Sequence, residues 1–362
     1  MVSGPVGGAA GDTFCGFEPQ MATTGVGSLP FRQPSEAVTF VLERGPDIPF
    51  WPQLPQRAFA EGMVAQYCRR IPCVRVNEEA RSTELVLGSK YEELERFYAD
   101  FLAEDPDRFG LSPAEAAGFH EFELAAAGRK WAYVKGQVTG PVTLSTSVTD
   151  GTGRAIFGDP ELRDAAVKAL ARNAQWQVAR LWEFASRGVL LFIDEPVLAA
   201  YGSSALAAVS EGAVHDMVGE VVAAIRGTGG IPGMHVCGNS DWGVMVGTGV
   251  DVLNFDSWAH GPTLSLYPEA VADLLERGGC IAWGAVPTTG AVGAEDVASL
   301  ARRLADCMAA LAQKGLPADL VRQRSLLTPA CGTGSLSVDD TVRVFGDLAD
   351  LARRAGDAAG RD

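Results

Sequence analysis

Short apolar runs alternate with longer amphipathic stretches along most of this chain. The apolar runs are residues 24–28, 48–51, 132–137, 189–194, 233–236, 252–256, 280–284 and 325–328. Runs of this length, bounded by turn residues, predict buried strands. Between them apolar residues recur at helical spacing, predicting helices over 35–43, 91–104, 161–186, 213–227, 267–277, 294–314 and 338–355. The 161–186 stretch carries Ala165, Val167, Leu170, Ala174, Trp176, Val178 and Leu181 on its apolar side. Ser337 reads as the N-cap of the last helix, with Asp339 and Asp340 as first-turn acids. Eight strands alternating with helices, without a change of compositional regime, predict a single (β/α)8 TIM barrel over residues 21–358. Residues 55–130 form a helical, charged insertion after the second strand. Residues 1–20, rich in Gly and Ala, read as a flexible N-terminal extension.

Charge narrows the partners. The 362 residues include 45 acidic against 30 basic side chains, a formal net charge of -15. Such a surface disfavours a nucleic-acid backbone or an anionic membrane as principal partner. No run approaches the roughly 18 consecutive apolar residues of a membrane span. The seven cysteines form no compact, even-numbered disulfide framework, so a reducing cytoplasmic setting is expected.

A barrel places its chemistry at the C-terminal ends of its strands. The polar residues comply: Ser28 ends the first predicted strand, Asp194-Glu195-Pro196 the fourth, His235 and Cys237 the fifth, and Asp256 the sixth. Cys331 follows the eighth. His-x-Cys on one strand presents a nitrogen and a sulfur to the same side, a donor set that suits zinc. Cys331 and the carboxylate of Asp256 would complete four ligands; Asp251 begins its strand and is less well placed. The plainer alternative is two buried thiols and a hydrogen-bonded core histidine. His260 reads equally as a proton donor, a substitute ligand or a solvated loop histidine.

Several motifs resemble those of the superfamily of cobalamin-independent methionine synthase and uroporphyrinogen decarboxylase. Gly25-Val26-Gly27-Ser28-Leu29-Pro30, Gly136-Gln137-Val138-Thr139-Gly140-Pro141-Val142-Thr143 and Ile193-Asp194-Glu195-Pro196 are similar to the first-, third- and fourth-strand motifs of the synthase's catalytic barrel. His235-Val236-Cys237-Gly238-Asn239 and Cys331-Gly332 are similar to the metal motifs of zinc-dependent coenzyme M methyltransferases. The resemblance implies zinc held by His235, Cys237, Asp256 and Cys331, with Ser28, Glu61 and Asp194 holding a small-molecule, homocysteine-like thiol. Three departures bear on the methyl donor. Ser147 stands where the synthase carries a folate-binding tryptophan, and Ala200 where it carries a folate-binding glutamate. After the seventh strand, Trp283-Gly284-Ala285-Val286-Pro287 lacks the synthase's acid histidine. By resemblance to core-only relatives, a methylcorrinoid or a corrinoid protein is then the expected donor. Three alternatives stay open: a uroporphyrinogen decarboxylase-like lyase, a non-catalytic zinc-binding or corrinoid-partner protein, and transfer to coenzyme M, whose sulfonate would need Lys135 or Arg57.

Overall fold

The computed structural model describes residues 16–103 and 105–359. Its centre is a six-stranded parallel sheet, each strand pairing with the next in sequence. A small antiparallel hairpin, β1 (Val74–Asn77) and β2 (Ser82–Leu85), precedes it. The sheet comprises β3 (Trp131–Thr139), β4 (Ala185–Asp194), β5 (Ile231–Val236), β6 (Val252–Phe255), β7 (Cys280–Val286) and β8 (Ser325–Pro329).

Eight strands were expected, and the described residues place six in this sheet. Segments 24–28 and 48–51 are joined to it only by isolated bridges. Thr23 bridges to Leu327 on β8, Thr24 to Ile48, and Phe50 to Lys135 on β3. Their irregularity has local causes. Pro49 and Pro52 offer no backbone N–H to a ladder. Gly25 lies so close to Phe50 that a Cβ there would stand 2.2 Å from the ring.

Side-chain alternation divides the buried residues into two clusters. Val134, Val189, Leu191, Met234, Leu253, Ile281 and Leu327 point outward under the helices. Leu190, Phe192, Ile231, Val252, Cys280, Ala282 and Leu326 form a separate inner cluster, centred on the N-terminal parts of the strands. Phe17 belongs to this inner cluster and is wholly buried, its ring edge-on to Tyr133 at 4.8 Å. Arg324 Nη1 donates to the Phe17 carbonyl at 2.8 Å. Of the expected flexible extension over 1–20, Phe17 and Pro19 are buried, and 1–15 lie outside the described residues.

Two further expectations change. The 55–130 insertion is not purely helical. Besides helices Ala65–Cys68, Lys90–Leu102 and Ala117–Ala126 it contains the β1–β2 hairpin. The 161–186 helix is Pro160–Leu181, and residues 185 and 186 already belong to β4. Ala185 pairs with Trp131, and Ser186 Oγ donates to the Trp131 carbonyl at 3.1 Å, which captures these residues for the sheet. The last helix, Val338–Ala359, starts as expected, with Ser337 Oγ accepting from the Asp340 N–H at 3.0 Å. No helix of the described residues is long and apolar enough to cross a membrane.

Candidate metal centre

His235 lies near the C-terminal end of β5, Cys237 just after it, and Cys331 two residues beyond β8. One ligand atom from each lies within 4.8 Å of the other two. His235 is buried, while both cysteines are half-buried. The six described cysteines other than Cys15 are all free thiols.

Burial holds His235 neutral, drawing its pKa down to about 4. Its Nδ1 lies 2.5 Å from Asn254 Oδ1 on the neighbouring strand. Among the described residues its Nε2 is buried with no hydrogen-bond partner. A buried ring nitrogen left without a partner is costly, and a metal ion would satisfy it. The two thiols share a hydrogen bond. It lowers the pKa of Cys237 below the usual thiol range and, with burial, raises that of Cys331. One imidazole nitrogen and two sulfurs fit zinc by their chemistry.

Asp256 is not part of this three-residue group. It follows β6 and caps the short helix Ser257–His260, its Oδ1 accepting from the Ala259 N–H at 2.9 Å. Burial raises its pKa, opposed first by that N–H and then by nearby His260. His260 closes the same helix, half-buried, and its ring makes no hydrogen bond among the described residues.

Ser28 abuts the chain just past Cys331. Its Oγ accepts from the Gly334 N–H at 3.3 Å, its carbonyl accepts from the Thr333 N–H at 2.9 Å, and a Cβ on Gly332 would stand 2.1 Å from that Oγ. Asp194 ends β4 in register with His235. Its Oδ1 is buried without a partner among the described residues. Burial raises the Asp194 pKa, opposed by the Lys135 cation. Glu61 is buried in the insertion and paired with Arg57, its Oε2 unpartnered among the described residues. Its pKa rises to about 7, chiefly through burial.

The two basic residues considered for a sulfonate are committed elsewhere. Lys135 is wholly buried on β3, its Nζ donating to the Val26 carbonyl at 2.6 Å. Arg57 is held by Glu61.

Glu195 and Asn254 carry structural roles that motif reading alone does not assign. Glu195, wholly buried, accepts from the N–H groups of Val142 (2.8 Å) and Thr143 (2.7 Å) and from Thr143 Oγ1 (2.6 Å). It thereby anchors the start of helix Pro141–Ser147. A Cβ on Gly140 would stand 2.0 Å from the Glu195 carboxyl carbon, so the Gly-Pro-Val-Thr and Asp-Glu-Pro motifs fit each other as lock and bolt. The signal for Asn254 was its place two residues before Asp256, which the alternation of a strand puts on the same inner side.

Beyond this junction opens a largely apolar hollow of about 450 Å³. Its lining includes Thr146, Ser147, Pro196, Ala199, Ala200 and Leu206. Both positions that depart from the folate pattern, Ser147 and Ala200, face it. Ala199 packs against Gly238, next to Cys237: a Cβ on that glycine would stand 2.9 Å from the Ala199 Cβ.

No family model and no curated protein matches the chain. Solved structures do. A B12-independent methionine synthase from Shewanella sp. W3-18-1, in complex with selenomethionine, matches with a TM-score of 0.58 at 14% identity, over 93% of this chain and 98% of that one. A Listeria monocytogenes protein described as a vitamin-B12-independent methionine synthase matches at 0.52 and 13%, over 90% and 85%. A methyltransferase from Methanosarcina mazei matches at 0.49 and 12%, over 91% and 93%. This chain shares the fold of solved B12-independent methionine synthases, the family its motifs resemble.

Proposed function

We propose that this chain is a zinc-dependent methyltransferase that moves a methyl group onto a homocysteine-like thiol, with a methylcorrinoid, free or protein-held, as donor in place of methylfolate. The observation that carries the reading is the convergence of His235, Cys237 and Cys331 from two non-adjacent strand ends. We further read the six-stranded sheet and its two bridged segments as one (β/α)8 barrel with irregular first staves. A reducing compartment such as the cytoplasm suits a centre built on free thiols.

His235, Cys237 and Cys331 would hold the metal, with Asp256, whose charge acts on Cys237, as a further candidate ligand. Zinc bound there would act as a Lewis acid that lets the acceptor thiol ionise at neutral pH. Asp194 offers an unpartnered carboxylate oxygen to a cationic amino group, and Ser28 a hydroxyl beside the Cys331 loop. The buried side chains of Asp194 and His235 would limit water around the reacting sulfur. His260, half-buried at the end of the short helix after β6, would exchange a proton with the departing or arriving group. Ser147 and Ala200 support the donor assignment, since they leave a small-residue hollow where a folate ring would need an aromatic and a carboxylate.

Metal analysis tests the reading. Protein purified without chelators should carry about one zinc per chain, and Cys237→Ser should lose it. A metal-free wild-type protein that takes up no added zinc would overturn the proposal. Methyl transfer to homocysteine should then proceed from methylcobalamin and not from methylfolate; the reverse preference would overturn the donor assignment alone.

A further inference from the structure

Asn254 is wholly buried on β6 and makes three hydrogen bonds to three different strands. Its Nδ2 donates to the Ala282 carbonyl on β7 at 2.8 Å and to Thr328 Oγ1 on β8 at 2.8 Å. Its Oδ1 faces His235 Nδ1 on β5. The orientation of this amide follows from chemistry. A backbone carbonyl only accepts, so the NH2 end must face Ala282 and the oxygen must face His235. The imidazole proton therefore sits on Nδ1, and the lone pair is on Nε2, the nitrogen left without a partner.

The same amide does a second job. His235 sits on β5 and Cys331 follows β8, and these strands are separated in the sheet by β6 and β7. Backbone ladders act only between neighbours. Asn254 reaches from the His235 ring past β7 to Thr328, three residues before Cys331. The small side chain of Ala282, in register with Asn254, leaves room for that reach.

Resting on the zinc reading above, we infer that Asn254 is a positioning residue for the metal. It selects the His235 tautomer that can bind through Nε2, and it sets the spacing between the histidine and Cys331. Outer contacts of this kind to a metal-bound histidine are worth about 10- to 100-fold in metal affinity.

Two measurements decide it. The chain has four histidines, so 15N spectra of histidine-labelled, metal-free protein, assigned with His235→Gln, report where the His235 proton sits. The expected result is a proton on Nδ1 in wild type and loss of that preference in Asn254→Ala. Zinc affinity, measured by competition with a chromogenic chelator, should fall about 10- to 100-fold in Asn254→Ala and by less in Thr328→Val, which removes one tether. A wild-type His235 protonated on Nε2, or an Asn254→Ala protein that binds zinc like wild type, would overturn the inference. The spectra need no zinc, and wild type with the assigning His235→Gln variant suffices, so they judge Asn254 even if Asn254→Ala fails to fold. A wild-type protein that binds no zinc but shows the Nδ1 tautomer refutes the metal reading and leaves the tautomer assignment standing.

Discussion

Asp194 has a buried oxygen that no described group satisfies, while the nearest buried cation, Lys135, spends its ammonium on the Val26 carbonyl. A carboxyl so placed needs an incoming positive group. Asp194→Asn should therefore cost about 1.5–3 kcal/mol of acceptor binding, a rise of roughly 10- to 100-fold in KM, with a smaller change in kcat. Burial raises the Asp194 pKa, so its charged form gathers only above the ordinary aspartate value of about 4. The acceptor KM of wild type should accordingly fall as pH rises through that raised range, and Asp194→Asn should flatten the profile. Steady-state KM measured across pH checks both. At this scale the sequence was legible wherever residue type alone carries the chemistry, as with His235, Cys237 and Cys331. For Asn254 it offered only a place two residues before Asp256, because its meaning depends on which carbonyl and which hydroxyl face it across other strands. For Asp256 it placed the residue at the strand end but did not reveal that its carboxylate caps the next helix.

Among the elements, the junction of β3 and β4 depends most on one side chain. Glu195 meets three donors at the start of helix Pro141–Ser147, and Gln at that position would turn an NH2 group toward them. Glu195→Gln should destabilise the protein at neutral pH by about 1–3 kcal/mol, read as a lower thermal midpoint. The pH dependence has a definite sign. Burial raises Glu195 to about 7, against the pull of its donors. The folded protein then keeps a proton that the unfolded chain releases above about 4. Unfolding releases protons between those values, so this carboxyl's contribution to stability declines as pH rises from about 4 to about 7. The variant should lack that part of the slope. Elements with strong periodicity, such as Pro160–Leu181 and the six sheet strands, were readable from the chain. The β1–β2 hairpin was not, because each strand has only four residues and, although Val-Arg-Val-Asn alternates, its partner Ser-Thr-Glu-Leu does not. The first two staves read as strands by composition, yet Pro49, Pro52 and the crowding at Gly25 reduce them to bridges.

Across the whole molecule, the interior of the sheet grades from an apolar base to a polar upper end. Phe17 sits at that base among Ile48, Leu190, Val252 and Leu326. A residue assigned by composition to a loose tail is thus part of the core; the Gly- and Ala-rich composition of residues 1–16 hid it. Phe17→Ala should cost on the order of 3–5 kcal/mol, visible in the denaturation midpoint. The base so filled has a kinetic consequence. On the proposed function, with one end of a barrel stoppered, a small acceptor and a bulky donor would share a single doorway, with the acceptor seated deeper. We predict compulsory-order turnover: the thiol enters first, the donor lands over it, and the methylated product is trapped until the spent donor departs. In product-inhibition experiments the thioether should then compete with the thiol, and the spent donor should act as a mixed inhibitor against both substrates. Pure competition between spent and fresh donor at every thiol concentration would mean that the doorway admits them in either order.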